Sequence, residues 1–243
     1  MIEYDELDST SNEAKRLVRE GNAAELYGTV IVAHHQTAGR GRMGKSFASP
    51  KGDSVYSTFI LPPPDNPAEQ LTTALAAVAV CEAIENTTSY NPGIKWVNDV
   101  FVDGKKVCGI LAESIQDVSA NQGAVVLGIG VNINLNEDDL PDDLRNIAGS
   151  LIMNEVEKEA FFKALVEKIF SYVSSQEKDM AFVDAYRKRS ILIGKNIIVK
   201  QGEKNRPAVA LGIADDGALI VEYEDGSSDE LRTGEVGILL SDS

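Results

Sequence analysis

Residues 36–50, QTAGRGRMGKSFASP, restrict the fold more than any other segment. They follow a β-branched run at 29–33 (TVIVA) that predicts a buried strand. By spacing alone, Gly39, Gly41 and Gly44 make G-x-G-x-x-G, while residues 39–46 make G-x-x-x-x-G-K-S. Both patterns hold phosphate only where a helix starts directly after the loop, because that helix N-terminus carries partial positive charge. Here FASPKGD follows, with Pro50 and Gly52 where the first helical turns would be. Proline inside a helix removes a donor and clashes with the preceding turn, at about 3 kcal/mol or more. The chain is therefore expected to be neither a P-loop triphosphatase nor a dinucleotide-binding doubly wound fold. A basic glycine loop remains, able to bring backbone amides and the cations Arg40, Arg42 and Lys45 close to an anion. Read blandly, it is a solvated basic turn.

The rest of the pattern mixes strands and helices. Residues 9–19, STSNEAKRLVR, predict a helix capped by Ser9 or Thr10, with Glu13 in its first turn. Residues 54–61 (SVYSTFIL) predict a second strand, stopped by prolines 62–64. An Ala-rich, mostly buried helix is expected from a first turn at Pro67 to Glu85. Residues 94–102 and 107–113 predict a hairpin joined through Asp103-Gly104. A further strand is expected over 124–135, and one long helix or two over 157–189. Beyond about Ile191 the character changes to short β-like runs at 196–200, 208–213 and 218–223, separated by DDG and EDG turns. The expected fold is α+β: a mixed β-sheet domain with flanking helices over residues 1–190, then a small β-barrel over residues 191–243.

Charge narrows the partners. Lys plus Arg total 23 against 38 for Asp plus Glu, a net charge of -15. Such a surface disfavours non-specific contact with nucleic acid or anionic lipid, so clustered cations carry more information. The two cysteines, Cys81 and Cys108, form no disulfide framework and no metal-ligand spacing. His34 and His35, the only histidines, have no cysteine or acidic cluster at metal spacing, so a zinc site is not expected. The acidic N-terminus has no apolar signal region and no apolar stretch reaches a membrane span, which predicts a cytoplasmic protein.

The loop and three later segments, in order, resemble the biotin protein ligase family. That family's pattern is a GRGR-x-G loop with an S-P step, then KW-x-ND, G-I-L-x-E and G-x-G-x-N. This chain has GRGRMG with Ser49-Pro50, Lys95-Trp96-Val97-Asn98-Asp99, Gly109-Ile110-Leu111-Ala112-Glu113 and Gly128-Ile129-Gly130-Val131-Asn132. Ser9-Thr10-Ser11 resembles the family's S-T-N, and Gly234-Glu235-Val236 resembles the end of its C-terminal barrel. The motifs are modestly specific singly and strong in combination. Ser11 stands where Asn is usual, Val97 where Pro is, Lys45 where Arg is common and Phe47 where Trp is common. Lys45 keeps charge but loses a bidentate fork, and Phe47 keeps an aromatic face without the indole donor.

The resemblance implies a class II synthetase-like catalytic domain, an SH3-like barrel, and the monofunctional type without an N-terminal DNA-binding domain. It implies ligation of biotin with ATP and Mg²⁺ through biotinyl-5'-AMP, then transfer to a lysine of a biotin carboxyl carrier protein. It assigns catalysis to Lys106, Arg42, Arg40 and Asp99. Biotin would meet Ser9, Thr10, Ser11, Gln36, Arg40, Gly41, Arg42, Trp96, Lys106, Gly109 and Gly130. ATP would meet Arg42, Lys45, Phe47, Asn98 and Asn132, while the metal ligands stay unassigned. Several of these residues also have plain readings. Lys106 or Lys105 could be a strand-edge lysine, Asp99 a strand-end acid, Lys95 a salt-bridged residue, and Ser9 and Thr10 only a helix cap. Two other functions stay open, a lipoate or octanoate ligase on a related fold and a non-catalytic biotinyl-adenylate-binding regulator. Oligomeric state stays open too, a homodimer included.

Overall fold

A computed structural model describes residues 1–48, 54–63, 69–117, 122–136, 138, 140–175, 181–201 and 204–238. Two sheets organise the chain. The first has seven strands in the order β1-β2-β3-β7-β6-β5-β4. These are β1 (Ile2–Leu7), β2 (Val30–Gln36), β3 (Val55–Leu61), β4 (Gly93–Lys95), β5 (Asp99–Val102), β6 (Lys105–Asp117) and β7 (Gln122–Val131). β1 and β2 run parallel and every other neighbouring pair is antiparallel, so the sheet is mixed.

Helices cover both faces. α1 (Thr10–Glu20) and the short α2 (Ala23–Leu26) lie on one side, where Ala14, Val18 and Ala23 meet Ile31, Ile60, Ala124 and Val126. On the other side lie α3 (Glu69–Thr87), α4 (Glu155–Ser175) and α5 (Ala181–Arg189). α3 is sandwiched between the sheet and α4, and its residues from Leu71 to Ala79 are all buried, which explains its apolar character all round. β3 is buried along its whole length because helices cover both of its faces.

The face under α1 positions the site. Along β7, alternate residues point the same way, so Ala124 and Val126 are followed on that face by Gly128 and Gly130. The stripe that packs α1 thus continues as bare backbone beyond the helix N-terminus. β6 pairs with β7 so that Gly109 stands opposite Gly130, Leu111 opposite Gly128 and Glu113 opposite Val126.

The second sheet is antiparallel, in the order β11-β10-β9-β8-β12. Its strands are β8 (Asn196–Gln201), β9 (Lys204–Ile213), β10 (Leu219–Tyr223), β11 (Ser228–Leu231) and β12 (Glu235–Ile238). It is tied to the first unit by hydrogen bonds from Trp96 Nε1 to the Gly217 carbonyl (3.0 Å) and from Arg187 Nε to the Ile213 carbonyl (2.8 Å).

Several expectations change. The single strand over 94–102 is two, β4 and β5, because the chain turns at 96–98 to bury Trp96 against Gly217. The 124–135 strand ends at Val131, where Asn132 leaves the ladder to hydrogen-bond Val107 and Gly149. Ser9 does occupy the N-cap position of α1, but its side chain caps nothing. The Asp103-Gly104 turn does join β5 to β6, with φ of 50° and 76° at its two residues. Ser49-Pro50 and the expected helix start at Pro67 lie outside the described residues.

Candidate active site

The two glycine-bearing strands form the floor of a cleft of about 480 Å³. A methyl added to Gly109 would meet Phe47 Cε2 at 2.8 Å, and one added to Gly130 would meet Phe47 Cε1 at 2.7 Å. Carbon contacts normally begin near 3.5 Å, so only bare backbone admits the ring there. The Phe47 ring thus lies across the paired glycines and makes a T-shaped contact with Tyr56 at a centroid distance of 6.4 Å.

Phe47 reaches the floor because its loop folds back on itself. Arg40 bridges Ser46, the Gly41 N–H donates to the Lys45 carbonyl (2.8 Å), and the Phe47 N–H donates to the Gly39 carbonyl (2.8 Å). Arg42–Gly44 makes a single 3₁₀ turn at the tip, with Met43 and Gly44 at φ of 55° and 75°. No helix starts over residues 45–48.

The wall at the N-terminus of α1 is polar and almost fully dehydrated. Ser9, Thr10 and Ser11 are 1%, 3% and 5% exposed. The Thr58 hydroxyl donates to Thr10 Oγ1 (2.8 Å), and both the Thr10 hydroxyl (3.1 Å) and its N–H (2.8 Å) donate to Gln36 Oε1. Ser11 Oγ lies 3.3 Å from Thr58 Oγ1. A methyl on Gly128 would come within 2.6 Å of Ser11 Oγ, so this glycine makes room for the hydroxyl. Chained hydroxyls with one amide can present both donors and acceptors to a neutral polar ligand. Thr58 is not among the residues expected from the sequence; the Ser57-Thr58 pair inside a strand otherwise read as buried is the available signal.

The opposite wall comes from the β4–β5–β6 ribbon. Lys106 Nζ lies 2.7 Å from Asp99 Oδ1, and both side chains are about three-quarters buried. Lys106 pairs with Phe101 of β5 on one side and bridges Ala148 on the other, so it is not on a sheet edge. Its backbone is clamped as well, its N–H donating to the Ile147 carbonyl and its carbonyl accepting from the Gly149 N–H, both at 2.8 Å. Arg42 Nη1 donates to Asn98 Oδ1 (3.3 Å), and Asn98 Nδ2 donates to the Ile110 carbonyl (3.0 Å).

The rim includes the second sheet through Lys200 and Gly234–Gly237. Lys45 is ion-paired with Glu235 there, which holds the Glu235 carboxyl below its ordinary pKa. Lys95, on the same rim and facing the Phe101 ring, has its pKa lowered by burial and by the nearby Lys106 ammonium.

All but one of the candidate residues line this cleft: Ser9, Thr10, Ser11, Gln36, Arg40, Gly41, Arg42, Lys45, Phe47, Trp96, Asn98, Asp99, Lys106, Gly109 and Gly130. Asn132 does not; its amide donates to the Gly149 carbonyl (3.0 Å) and secures the strand partner of Lys106. Arg40 borders the cleft, but its guanidinium is held by Asn12 Oδ1 (3.1 Å) and Glu113 Oε1 (3.2 Å).

Residues 7–132 match the model of the biotin/lipoate A/B protein ligase family, and residues 192–238 match the biotin protein ligase C-terminal domain. The chain is 36% identical over 234 residues to the bifunctional ligase/repressor BirA of Bacillus subtilis (strain 168), covering 93% of this chain and 70% of that one. It is 31% identical over 228 residues to the biotin--[acetyl-CoA-carboxylase] ligase of Paracoccus denitrificans, covering 88% and 90%. Among solved structures, the biotin protein ligase from Aquifex aeolicus in complex with biotin and ATP superposes with a TM-score of 0.80. It shares 27% identity and the match covers 99% of this chain and 98% of that one.

Proposed function

The chain belongs to the biotin/lipoate A/B protein ligase family, and from that premise we propose how its cleft performs ATP-dependent biotin ligation. The observation that carries this reading is the Gly109–Gly130 floor with the Lys106 stem beside it; a methyl on Gly109 would sit 3.4 Å from Lys106 Cε. A flat reactant can lie on bare backbone there, within reach of a single ammonium.

In the first step the biotin carboxylate attacks the α-phosphorus of ATP. The new acyl–phosphate bond forms as the bond to pyrophosphate breaks, giving biotinyl-5'-AMP. Attacker and target are both anionic, so positioning and cations must supply the catalysis. Lys106 bridges the two, having first to exchange its Asp99 partner for the reactants. Arg42 adds a second cation on the phosphate side, aimed by Asn98. Ser9, Thr10, Ser11 and Gln36 take the ureido head of biotin, and Trp96 walls the same region. Arg40 and Gly41 border the ligand through their backbone. Phe47 and Lys45 move with the loop to cover the nucleotide, and Asn132 acts on it indirectly, by fixing the residue 147–149 segment.

In the second step a neutral lysine ε-amine of the acceptor attacks the acyl carbon and releases AMP. A free lysine pKa of about 10.4 makes that amine rare at neutral pH, so a proton acceptor is needed. In this reading Asp99, once freed by Lys106, takes that proton; its carboxylate beside the Lys106 ammonium supports the assignment. The acceptor we propose is a biotin carboxyl carrier protein in the cytoplasm, as expected for a ligase of this kind. No helix among the described residues is long and apolar enough to cross a membrane.

No cluster of three or more His, Cys, Asp or Glu among the described residues could hold a metal. Mg²⁺ would enter with the nucleotide and would screen its phosphate charge, and Asp99 is the carboxylate beside Lys106 that could approach it. Residues 1–190 would form the catalytic domain and 191–243 the small second domain, which reaches the rim through Lys200 and Glu235.

Incubation with biotin, MgATP and a carrier domain should raise the carrier's mass by one biotinyl group. Acid-dependent pyrophosphate exchange with biotin, lipoate and octanoate tests the acid. Exchange supported by lipoate and not biotin would overturn this reading.

A further inference from the structure

Glu113, the acid that ends the Gly-Ile-Leu-Ala-Glu segment, has no part in the chemistry above. We propose that Glu113 is a positioning residue whose carboxylate ties the root of the glycine-rich loop to α1 and β6, and so sets how Phe47 and Arg42 enter the cleft. Its catalytic consequence rests on the ligase reading; its structural consequence does not.

Gly109, Leu111 and Glu113 alternate along β6 and share one face. The strand that supplies bare floor at Gly109 therefore supplies a carboxylate two pairs further on, beside α1. Each carboxylate oxygen takes one cation. Oε2 lies 2.6 Å from Lys15 Nζ on α1, and Oε1 lies 3.2 Å from Arg40 Nη2 on the loop. Lys15 is only 6% exposed, so the α1 side of this junction is fixed. The other arm of Arg40 donates to Asn12 Oδ1, and Asn12 Nδ2 donates in turn to Asp8 Oδ2 at 2.6 Å.

The junction is coupled to the floor through backbone. Arg40 begins the fold-back that pairs with Ser46 and delivers Phe47 onto Gly109 and Gly130. Lys15 lies on the helix whose first residues make the hydroxyl wall. One carboxylate thus joins three parts of the cleft: floor strand, wall helix and covering loop. An amide in its place could accept from one cation only partly and would leave the buried Lys15 ammonium unpaired.

The test is a double-mutant cycle on the full chain, Glu113→Gln and Arg40→Gln, read by tryptic cleavage after Arg42 and Lys45 under native conditions. When reclosing is fast, cleavage tracks the population of open loop. An ion pair this exposed, at 39% and 25%, should change that population roughly two- to fivefold. Each single variant should speed cleavage by at least that factor, and the double variant by less than the product of the two, since both remove the shared Arg40–Glu113 contact while Arg40 also loses Asn12 and Glu113 also loses Lys15. Escape of biotinyl-adenylate should accelerate in parallel.

Glu113→Asp draws both oxygens back by one methylene, keeping a charge beside the tightly held Lys15 while opening the looser 3.2 Å contact with Arg40. It should therefore speed loop cleavage while melting close to the parent. This arm keeps the idea testable if Glu113→Gln folds poorly. Multiplicative effects in the double variant would overturn the proposal. So would a lowered melting temperature in Glu113→Asp with loop cleavage unchanged. Cleavage needs no substrate, so a protein that failed to ligate biotin would still report on this junction.

Discussion

Replacing Gly130 with alanine tests the glycine floor directly. The new methyl would stand 2.7 Å from Phe47 Cε1 and 2.8 Å from Cζ, against an ordinary contact near 3.5 Å, so the ring must retreat by about 1 Å. Strand glycine to alanine gains about 0.5–1 kcal/mol in conformational entropy. Overpacking costs about 1–3 kcal/mol, and the low end applies because the displaced atoms are the far edge of a side chain on a loop. The net loss should stay under about 2 kcal/mol, a shift of a few degrees in melting temperature for a chain of this size. Activity should suffer far more. A reactant lifted about 1 Å off the floor loses its alignment with Lys106, and misplacement on that scale costs on the order of 10²-fold in rate. Pyrophosphate exchange and differential scanning calorimetry on Gly130→Ala therefore separate two effects that usually move together. The double variant Gly130→Ala/Phe47→Ala removes the ring and relieves the clash within the protein, yet should remain slow because the methyl still occupies the floor. Full exchange activity in Gly130→Ala would refute the idea that reactants lie on these glycines. Recovery in the double variant would instead make the displaced ring the cause.

Lys106→Ala should cut adenylation by orders of magnitude, seen in single-turnover formation of biotinyl-AMP, and should also lower the melting temperature, because Asp99, about three-quarters buried, loses its cation. Trp96→Phe should cost about 1–3 kcal/mol in denaturant unfolding, since the Gly217 carbonyl loses its donor, with faster amide exchange over residues 196–238. Glu13 has its pKa held below the ordinary 4.5, first by the Arg16 guanidinium and then by the Tyr4 hydroxyl, against opposing desolvation. A depressed folded pKa adds stability above pH 4.5 that is lost as pH falls through the folded value, so Glu13→Gln should flatten the acid limb of a pH–stability curve there. An unchanged acid limb would rule out that role for Glu13.

How much of this could be read from residues alone follows from how local each feature is. The glycine loop and the failure of both phosphate templates rest on Pro50 and Gly52, a few positions away. The Asp103-Gly104 hairpin is equally local. β1 escaped notice because it is an edge strand with mostly exposed residues, so IEYDEL lacks the apolar alternation of a half-buried strand. β11 and β12 are four residues each, too short to show a strand period, and β11 is largely polar. At Ser9–Ser11 the same hydroxyls suit a helix cap and a binding wall, and only burial against Thr58 and Gln36 separates the two. Lys15 with Glu113, and Lys45 with Glu235, are paired across long stretches of chain, where no local rule reaches. The family motifs marked Gly109 and Gly130 individually; that they stand opposite each other is a property of strand pairing.

That pairing gives the sheet a parity. Glycines alternate on β7 with Ile129 and Val131, and on β6 Gly109 sits between Cys108 and Ile110, all of them buried on the far side. A slip of a single residue between these two strands would carry Ile129 or Ile110 into the space where a flat molecule could rest, replacing emptiness with a branched side chain. Hydrogen-bond phase between two neighbouring strands is thus a condition for having a pocket at all, one that no residue lining it can guarantee alone.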